Sequence, residues 1–368
     1  MNLDYKIDKI KYGVTLCENK ETPDIVNNLN KNFFDKKVLL IMDKKLSKNF
    51  SKYLFKDLSK INLNLTLLKL SANKKNKNEK VLFKIIDTLI AKRFTKKSVI
   101  ISCGGGVIGD LCALASSLYL RGLIYYHIPT TMTAIVDSGI GGKTGINYKG
   151  IINSVGTYYH PQRVFISKNV INLMPHREFM SGVPEIIKSG VINDVKILSL
   201  LDNNRIKFFS RNYKFLKELI FRTLKTKVKF FSKDVFENHK RLNLNFGHTF
   251  AHAIEMTIKS KNKDIIRHGE AVGIGMLCEI YYSEGKSRKY YFIKKLLEKY
   301  NLPTNINLFV KIKNKQKICR EVYKNIFLDK KKIGKYPRCI KILKLGKSKI
   351  IEMRNNDKIR KTIDKVLF

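Results

Sequence analysis

Residues 98–120 read SVIISCGGGVIGDLCALASSLYL. The opening run is apolar without alternation, so both faces of a strand there are buried. It passes through three glycines into small residues compatible with a helix. A strand buried on both faces belongs inside a parallel sheet, whose crossover helices cover each side. Other stretches repeat the pattern. VLLIM (38–42), NLTLLKL (64–70) and LIYYHIP (123–129) read as further strands, and NEKVLFKIIDTLIAKRF (78–94) as an amphipathic helix. Between them SANKKNKNEK (71–80) reads as a surface loop. The alternation predicts an α/β, Rossmann-like doubly wound parallel sheet over residues 1–175.

From about Pro175 the period changes. FMSGVPEIIKSGVI, YKFLKELIFRTLKTKVKFF, NFGHTFAHAIEMTIKS, HGEAVGIGMLCEIYYSEG and RKYYFIKKLLEKY all space apolar residues helically. Strand signals stay few until RCIKILKL (338–345). Residues 176–368 are therefore expected to form a mainly α-helical domain. A chain of 368 residues can fill two cores.

The formal net charge of +43 invites a polyanionic partner. The lysines, however, are spread among Asn, Ile and Phe, without an Arg-rich tail. All four residue types use A/T-rich codons. Codon bias is the favoured reading of the charge; incidental binding of RNA or anions to a basic surface at low salt is expected, and a specific nucleic-acid partner is not. The six cysteines, at 17, 103, 112, 278, 319 and 339, contain no C-x-x-C pair and read as reduced thiols. The opening MNLDYKIDKIKYG lacks the apolar stretch of a signal peptide, and no long apolar run suits a membrane span. These features predict a cytoplasmic chain.

DSGIGGKT (137–144) ends like the phosphate loop G-x-x-x-x-G-K-[ST]. The first glycine of that pattern falls on Asp137, whose carboxylate would face the phosphates. The stretch is therefore a glycine-rich turn carrying Lys143, with another role. CGGGVIGD suits an anion better. Its glycines allow close backbone approach, and the helix that follows offers unpaired N–H groups. The spacing is not G-x-G-x-x-G, so a purely structural tight turn stays open. Asp110 could cap that helix or hydrogen-bond a ligand.

NFGHTFAHAIE places His248 and His252 four residues apart on one helix face, and HGEAV puts His268 at the start of another helix. PEIIK sets Glu185 and Lys188 on a shared face of a third. Three His/Glu ligands with an open position make up a catalytic zinc site. Thr249 stands where H-E-x-x-H needs its glutamate, so a metalloprotease base is absent. Three of the seven histidines lie within 21 residues, which favours a site. Spacing leaves open whether His248 or His252 binds the metal.

Eight motifs occur in order: SCGGGVIGD, YLRG (119–122), IPTT (128–131), VDSGIGGKTGIN, MPHREFMSGVPEIIKSG, RLNLNFGHTFAHAIE, HGEAVGIGM and LDKKKIGK. With this set, between about residues 38 and 346, the chain resembles the 3-dehydroquinate synthase family of the sugar phosphate cyclases. Iron- or zinc-dependent glycerol-type dehydrogenases share the architecture but not the set. The resemblance implies NAD across the N-terminal domain, near Gly106, Val107, Ile108, Gly109, Asp110, Thr130 and Thr131. Asp43 would meet the adenosine ribose, with Lys77, Lys143 and Ile152 as further cofactor-side positions. Zinc or cobalt would be held by Glu185, His248 and His268. His252 would then be catalytic or contact substrate. Asp137, Lys143, Asn153, Lys188, Lys227, Glu237, Arg241, Asn245 and Lys331 would line the substrate pocket. Arg121 would reach the substrate phosphate from the neighbouring subunit of a homodimer.

The implied substrate is a sugar acid phosphate, 3-deoxy-D-arabino-heptulosonate 7-phosphate (DAHP). Its phosphate and carboxylate call for cations, and Lys143, Arg121, Lys227 and Arg241 are of the right type. The implied reaction oxidises C5 with NAD, which acidifies the C6 proton and lets phosphate leave. Hydride return, ring opening and an aldol closure then give 3-dehydroquinate, with NAD regenerated.

Several positions depart from the family pattern. Ile152 stands where a lysine precedes the asparagine at 153. ANKKNK (72–77) replaces an acidic D-G-E-x-x-K loop, keeping only Lys77. Leu173 replaces a threonine, and Pro184 an alanine, which is tolerable near a helix start. These changes predict weaker NAD affinity and a slower enzyme. Two other functions fit less well. A cyclase acting on glucose 6-phosphate or sedoheptulose 7-phosphate would leave Lys227 and Arg241 without a carboxylate. A basic binding protein without catalysis would have no need to keep Glu185, His248, His252 and His268.

Overall fold

A computed structural model describes residues 1–18, 36–46, 48–61, 64–71, 73–258, 265–311, 314–328 and 336–368. The chain divides into two units, Met1–Phe179 and Met180–Phe368.

In the first unit the strands are β1 (Asn2–Ile7), β2 (Ile10–Cys17), β3 (Val38–Asp43), β4 (Leu65–Leu70), β5 (Val99–Gly104), β6 (Ile124–Pro129), β7 (Ile146–Tyr148), β8 (Ile151–Val155) and β9 (Arg163–Ser167). Seven of them form one sheet in the order β1-β2-β9-β6-β5-β3-β4. Its pairings are parallel except β1–β2. The apolar runs of β3 and β5 are buried inside the sheet, each strand flanked on both sides. Helices Lys48–Ile61, Glu79–Ala91 and Gly106–Leu118 connect them. Asn78 caps the second of these, its side chain accepting from the Val81 N–H at 3.1 Å. That helix buries Leu82, Ile85 and Leu89, a stripe at helical spacing, in a core shared with Leu39, Ile41 and Ile100. This is the doubly wound parallel sheet the sequence predicts, extended by an antiparallel edge strand. β1 escaped the pattern because an edge strand buries alternate residues, here Tyr5 and Ile7, with lysines around them.

The second unit is mainly helical. Its helices are Val183–Ile192, Val195–Asn203, Arg205–Phe209, Tyr213–Phe231, His248–Thr257, His268–Glu284, Arg288–Lys299, Lys315–Phe327 and Asn356–Leu367. A two-stranded ribbon joins β10 (Arg338–Lys344) to β11 (Lys347–Glu352). Helix His268–Glu284 is apolar on nearly every side and correspondingly buried. Helix His248–Thr257 starts directly against it. A Cβ at Gly275 would lie 2.0 Å from the Gly247 carbonyl oxygen, so only glycine permits this approach. Among the described residues no helix is long and apolar enough to cross a membrane. None of the six cysteines forms a disulfide.

Glu279, fully buried in helix His268–Glu284, accepts the Ile340 N–H of β10 at 2.7 Å. Burial pushes its carboxyl up to about 8, against the lowering effect of N–H groups of Ile340, Gly247 and Thr249. Between the ordinary carboxylate range and pH 8 the folded chain thus holds a proton that the unfolded chain has released. Stability must fall as pH rises through that window, by on the order of a few kcal/mol. Urea unfolding at pH 5 and pH 8 checks this. Glu279→Gln, which cannot ionise, is expected to flatten the pH dependence, and an unchanged slope would assign it to other groups.

Candidate active site

Helix Val183–Ile192 carries Pro184 in its first turn, where the missing N–H has no helical partner to lose. The helix is buried on all sides, with Glu185 1% and Lys188 3% exposed. One turn apart, they form an ion pair through Glu185 Oε2. The other oxygen, Oε1, is buried without a hydrogen-bond partner. Two imidazoles point at it. His248 Nε2 and His268 Nε2 each lie 3.6 Å from Oε1. Their Nδ1 atoms are engaged elsewhere, with the Phe246 carbonyl at 3.2 Å and Glu255 Oε2 at 3.0 Å. Both acceptors require Nδ1–H, which leaves the Nε2 lone pairs aimed inward. A separation of 3.6 Å is too long for a hydrogen bond. It matches two donors sharing one ion, since ligands at about 2.0–2.1 Å on a tetrahedral zinc sit roughly 3.3 Å apart. The three donor atoms lie within 4.8 Å of one another, so the residues fit a metal ion. His252 stands outside this set, its ring centroid 5.5 Å from that of His248 and 6.2 Å from that of His268.

Glu255 is a residue that the sequence reading passed over. It follows His248 by seven positions, two turns along the same helix face, which is the one signal that could have found it. A carboxylate on the far nitrogen of a ligating histidine fixes tautomer and ring orientation. Glu255→Ala is expected to weaken zinc affinity by about 10- to 100-fold, measured by competition with a chromogenic chelator. Unchanged affinity would show that this hydrogen bond does not orient His268.

The remaining predicted residues of the second unit are held close to the backbone. Lys227 is buried on helix Tyr213–Phe231. Arg241 is buried too, donating through Nη1 to the Val235 carbonyl at 2.7 Å. Glu237, at φ 62°, accepts from Asn245 Nδ2 at 2.8 Å. The organiser of this loop is Asp234, also unread in the sequence. It accepts the N–H groups of Asn238, His239 and Arg241. Burial acts to raise its carboxyl, but these donors outweigh it and hold it below the usual range. Lys331 lies outside the described residues.

In the first unit, helix Gly106–Leu118 begins after Gly105, so Asp110 sits in its second turn and is not its cap. Its carboxylate pairs with Lys77 instead. Lys77 Nζ also donates to Asn153 Oδ1 at 2.5 Å. The hairpin β7–β8 is tied to the same place, through Asn147 N–H to the Lys77 carbonyl at 2.8 Å and Asn153 N–H to Asn147 Oδ1 at 3.0 Å. Lys77 is therefore buried, contrary to the surface loop expected for 71–80. A partner 33 residues away in sequence cannot be read from local polarity. A small pocket opens beside these groups, lined by Gly106, Gly109, Asp110, Ser138, Gly142 and Lys143 among others. Asp137 lies in the single wide turn Ala134–Ser138. Thr130 N–H donates to the Gly104 carbonyl at 3.0 Å, and Thr131 Oγ1 accepts from Ala134 N–H at 3.3 Å. Val107 and Ile108 turn toward the core. Asp43 ends β3, its Oδ1 accepting the Lys45 N–H at 3.0 Å. Arg121 is exposed in a turn of left-handed residues at 120–122. Ile152 is 50% exposed on β8.

Comparison with known proteins agrees with this arrangement. The family description "3-dehydroquinate synthase N-terminal" matches residues 67–181, and "3-dehydroquinate synthase C-terminal" matches residues 182–332. A 3-dehydroquinate synthase of Pelagibacter ubique (strain HTCC1062) is 36% identical over 324 residues, 87% of this chain and 86% of its own length. One of Prochlorococcus marinus (strain MIT 9515) is 34% identical over 313 residues, 82% of this chain and 83% of its own. Among solved structures, a 2-deoxy-scyllo-inosose synthase complexed with carbaglucose-6-phosphate, NAD+ and Co2+ superposes with a TM-score of 0.84 at 20% identity, covering 100% of both chains. A 2-epi-5-epi-valiolone synthase from Streptomyces hygroscopicus, with NAD+ and Zn2+ bound, gives 0.82 at 19% identity, covering 98% of this chain and 97% of its own. At that identity the structures speak for the fold, whereas the two curated relatives and the matches over both units speak for the family. The chain belongs to the 3-dehydroquinate synthase family.

Proposed function

We propose that the chain converts DAHP to 3-dehydroquinate and phosphate, a carbon–oxygen lyase reaction of aromatic amino-acid biosynthesis, in the cytoplasm and as a homodimer. The observation that carries this is the donor set of Glu185, His248 and His268, complete and oriented in a chain of this family. Bound NAD would supply a hydride acceptor and donor, and bound zinc or cobalt a Lewis acid for substrate hydroxyls.

The chain's own residues do the rest. Glu185, His248 and His268 would hold the metal, with Lys188 neutralising the second carboxylate oxygen. His252, half-buried beside the donor set, can move a proton at a substrate oxygen through its imidazole. Lys143, exposed on its glycine-rich turn, would take the leaving phosphate, and Asp137 a substrate hydroxyl. Lys227, Arg241 and, from the partner subunit, Arg121 would balance the substrate's anionic groups. Asp110, Lys77 and Asn153 would form the wall on the cofactor side. Positioning and charge balance are the protein's main contributions.

A phosphate-release assay with DAHP, glucose 6-phosphate and sedoheptulose 7-phosphate in competition tests the substrate. DAHP alone is expected to turn over, and preference for either neutral-headed sugar would overturn the assignment. Ile152 bears on rate. It neighbours Asn153 but offers no cation, so Ile152→Lys is expected to raise kcat/KM roughly two- to tenfold. A less active variant would mean that position 152 marks no missing contact.

A further inference from the structure

His127 is fully buried in β6, a strand that is otherwise aliphatic and aromatic. The register pairs it directly with Ser102 of β5. Tyr125, two residues earlier, shares its face of the sheet. The three side chains are linked. Ser102 Oγ lies 2.7 Å from His127 Nδ1 and 2.7 Å from the Tyr125 hydroxyl, which lies 3.2 Å from the Gly109 carbonyl. The chain of hydrogen bonds thus ends on the helix that follows the three glycines. The ring itself meets the same residue. A Cβ at Gly109 would lie 3.1 Å from His127 Cε1, and one at Gly139 would lie 3.2 Å from Cδ2. The imidazole therefore fills the space between two glycine-rich segments, one carrying Asp110 and the other Lys143. His127 lines the same pocket as both.

The polarity of the chain follows from where the Tyr125 proton goes. With the Tyr125 proton on the Gly109 carbonyl, Ser102 donates to Tyr125 and accepts from His127 Nδ1–H; with it on Ser102 Oγ, the serine proton is left for His127 Nδ1 or the Tyr126 carbonyl at 3.5 Å. Burial pushes the imidazole down to about 4, so it stays neutral at working pH. A phenyl ring in its place would leave Ser102 Oγ without that partner, and an aliphatic side chain would lose the flat edge that Gly109 and Gly139 abut.

We propose that His127, locked by Ser102 and Tyr125, is a positioning residue that sets the separation of the two glycine-rich segments and so of Asp110 and Lys143. The inference rests on the reading of this pocket as the NAD-binding side of the site. It adds a residue that acts through others and touches no reacting atom.

The test uses the full-length protein with His127→Phe, Ser102→Ala and His127→Gln, measuring NAD+ affinity by calorimetry, zinc affinity by chelator competition and thermal melting. His127→Phe and Ser102→Ala are expected to weaken NAD+ binding about five- to tenfold while zinc affinity stays at the parent value. His127→Gln, whose amide can donate to Ser102, is expected to recover part of the loss. The parent's ¹⁵N spectrum should show His127 as a single neutral tautomer, and Ser102→Ala should change it. If the parent binds NAD+ and all three variants bind it equally well, the inference is wrong while the pocket assignment stands. Affinity that merely tracks the melting temperature, without recovery in His127→Gln, also overturns it. A parent that binds no NAD+ removes the pocket assignment and the inference together.

Discussion

Replacing His248 by alanine is expected to abolish metal retention and to lower turnover by about a thousandfold or more. A catalytic zinc is held by three protein donors. Without His248 only Glu185 Oε1 and the Nε2 of His268 remain, 3.6 Å apart. The fold should survive, because Glu185 keeps its ion pair with Lys188 and the helix start is buried against Gly275. Metal content after gel filtration and the rate of phosphate release check the two effects, with circular dichroism confirming the fold. His252→Ala is the contrast: it should lose rate while keeping the metal, since His252 stands outside the donor set. If His248→Ala kept its metal, the donor set would be misassigned.

Lys143→Ala is expected to lower kcat/KM for DAHP by about a hundredfold or more, the scale on which a lost donor to developing charge is felt. Lys143 is an exposed residue lining the pocket, on a turn fixed by Gly141 and Gly142 at φ 97° and 69°. No other side chain of that turn can replace the charge. Zinc affinity should not change, because every donor lies in the second unit. Steady-state phosphate release at saturating NAD+ measures the effect. A variant within threefold of the parent would remove Lys143 from phosphate binding.

The parts of the fold legible in the sequence were those with two buried faces or a full helical stripe. β3 and β5 announce themselves because their leading apolar residues run on without alternation, and helix Glu79–Ala91 because its buried residues recur at helical spacing. β1 did not, because it lies at an edge and buries only alternate residues. Within the site, residue type and helix position pointed to Glu185, His248, His252 and His268. Periodicity alone could not separate His248 from His252, because both lie on one face and only the neighbouring helices decide which ring meets Glu185. Residues defined by tertiary partners were the ones missed. Lys77 was marked only by the family pattern, and its burial between Asp110 and Asn153 could not be read from the polar stretch around it. Glu255, Asp234 and His127 each act by holding another group, and no local pattern marks that.

The most direct test of the central claim is a single incubation of the metal-loaded protein with DAHP and a small, known amount of NAD+, following phosphate, 3-dehydroquinate and NADH together. Catalysis with internal return of hydride predicts phosphate and 3-dehydroquinate in equal amounts, far exceeding the NAD+ supplied, with no accumulation of NADH. No product at any NAD+ concentration, or NADH rising in step with product, would contradict it.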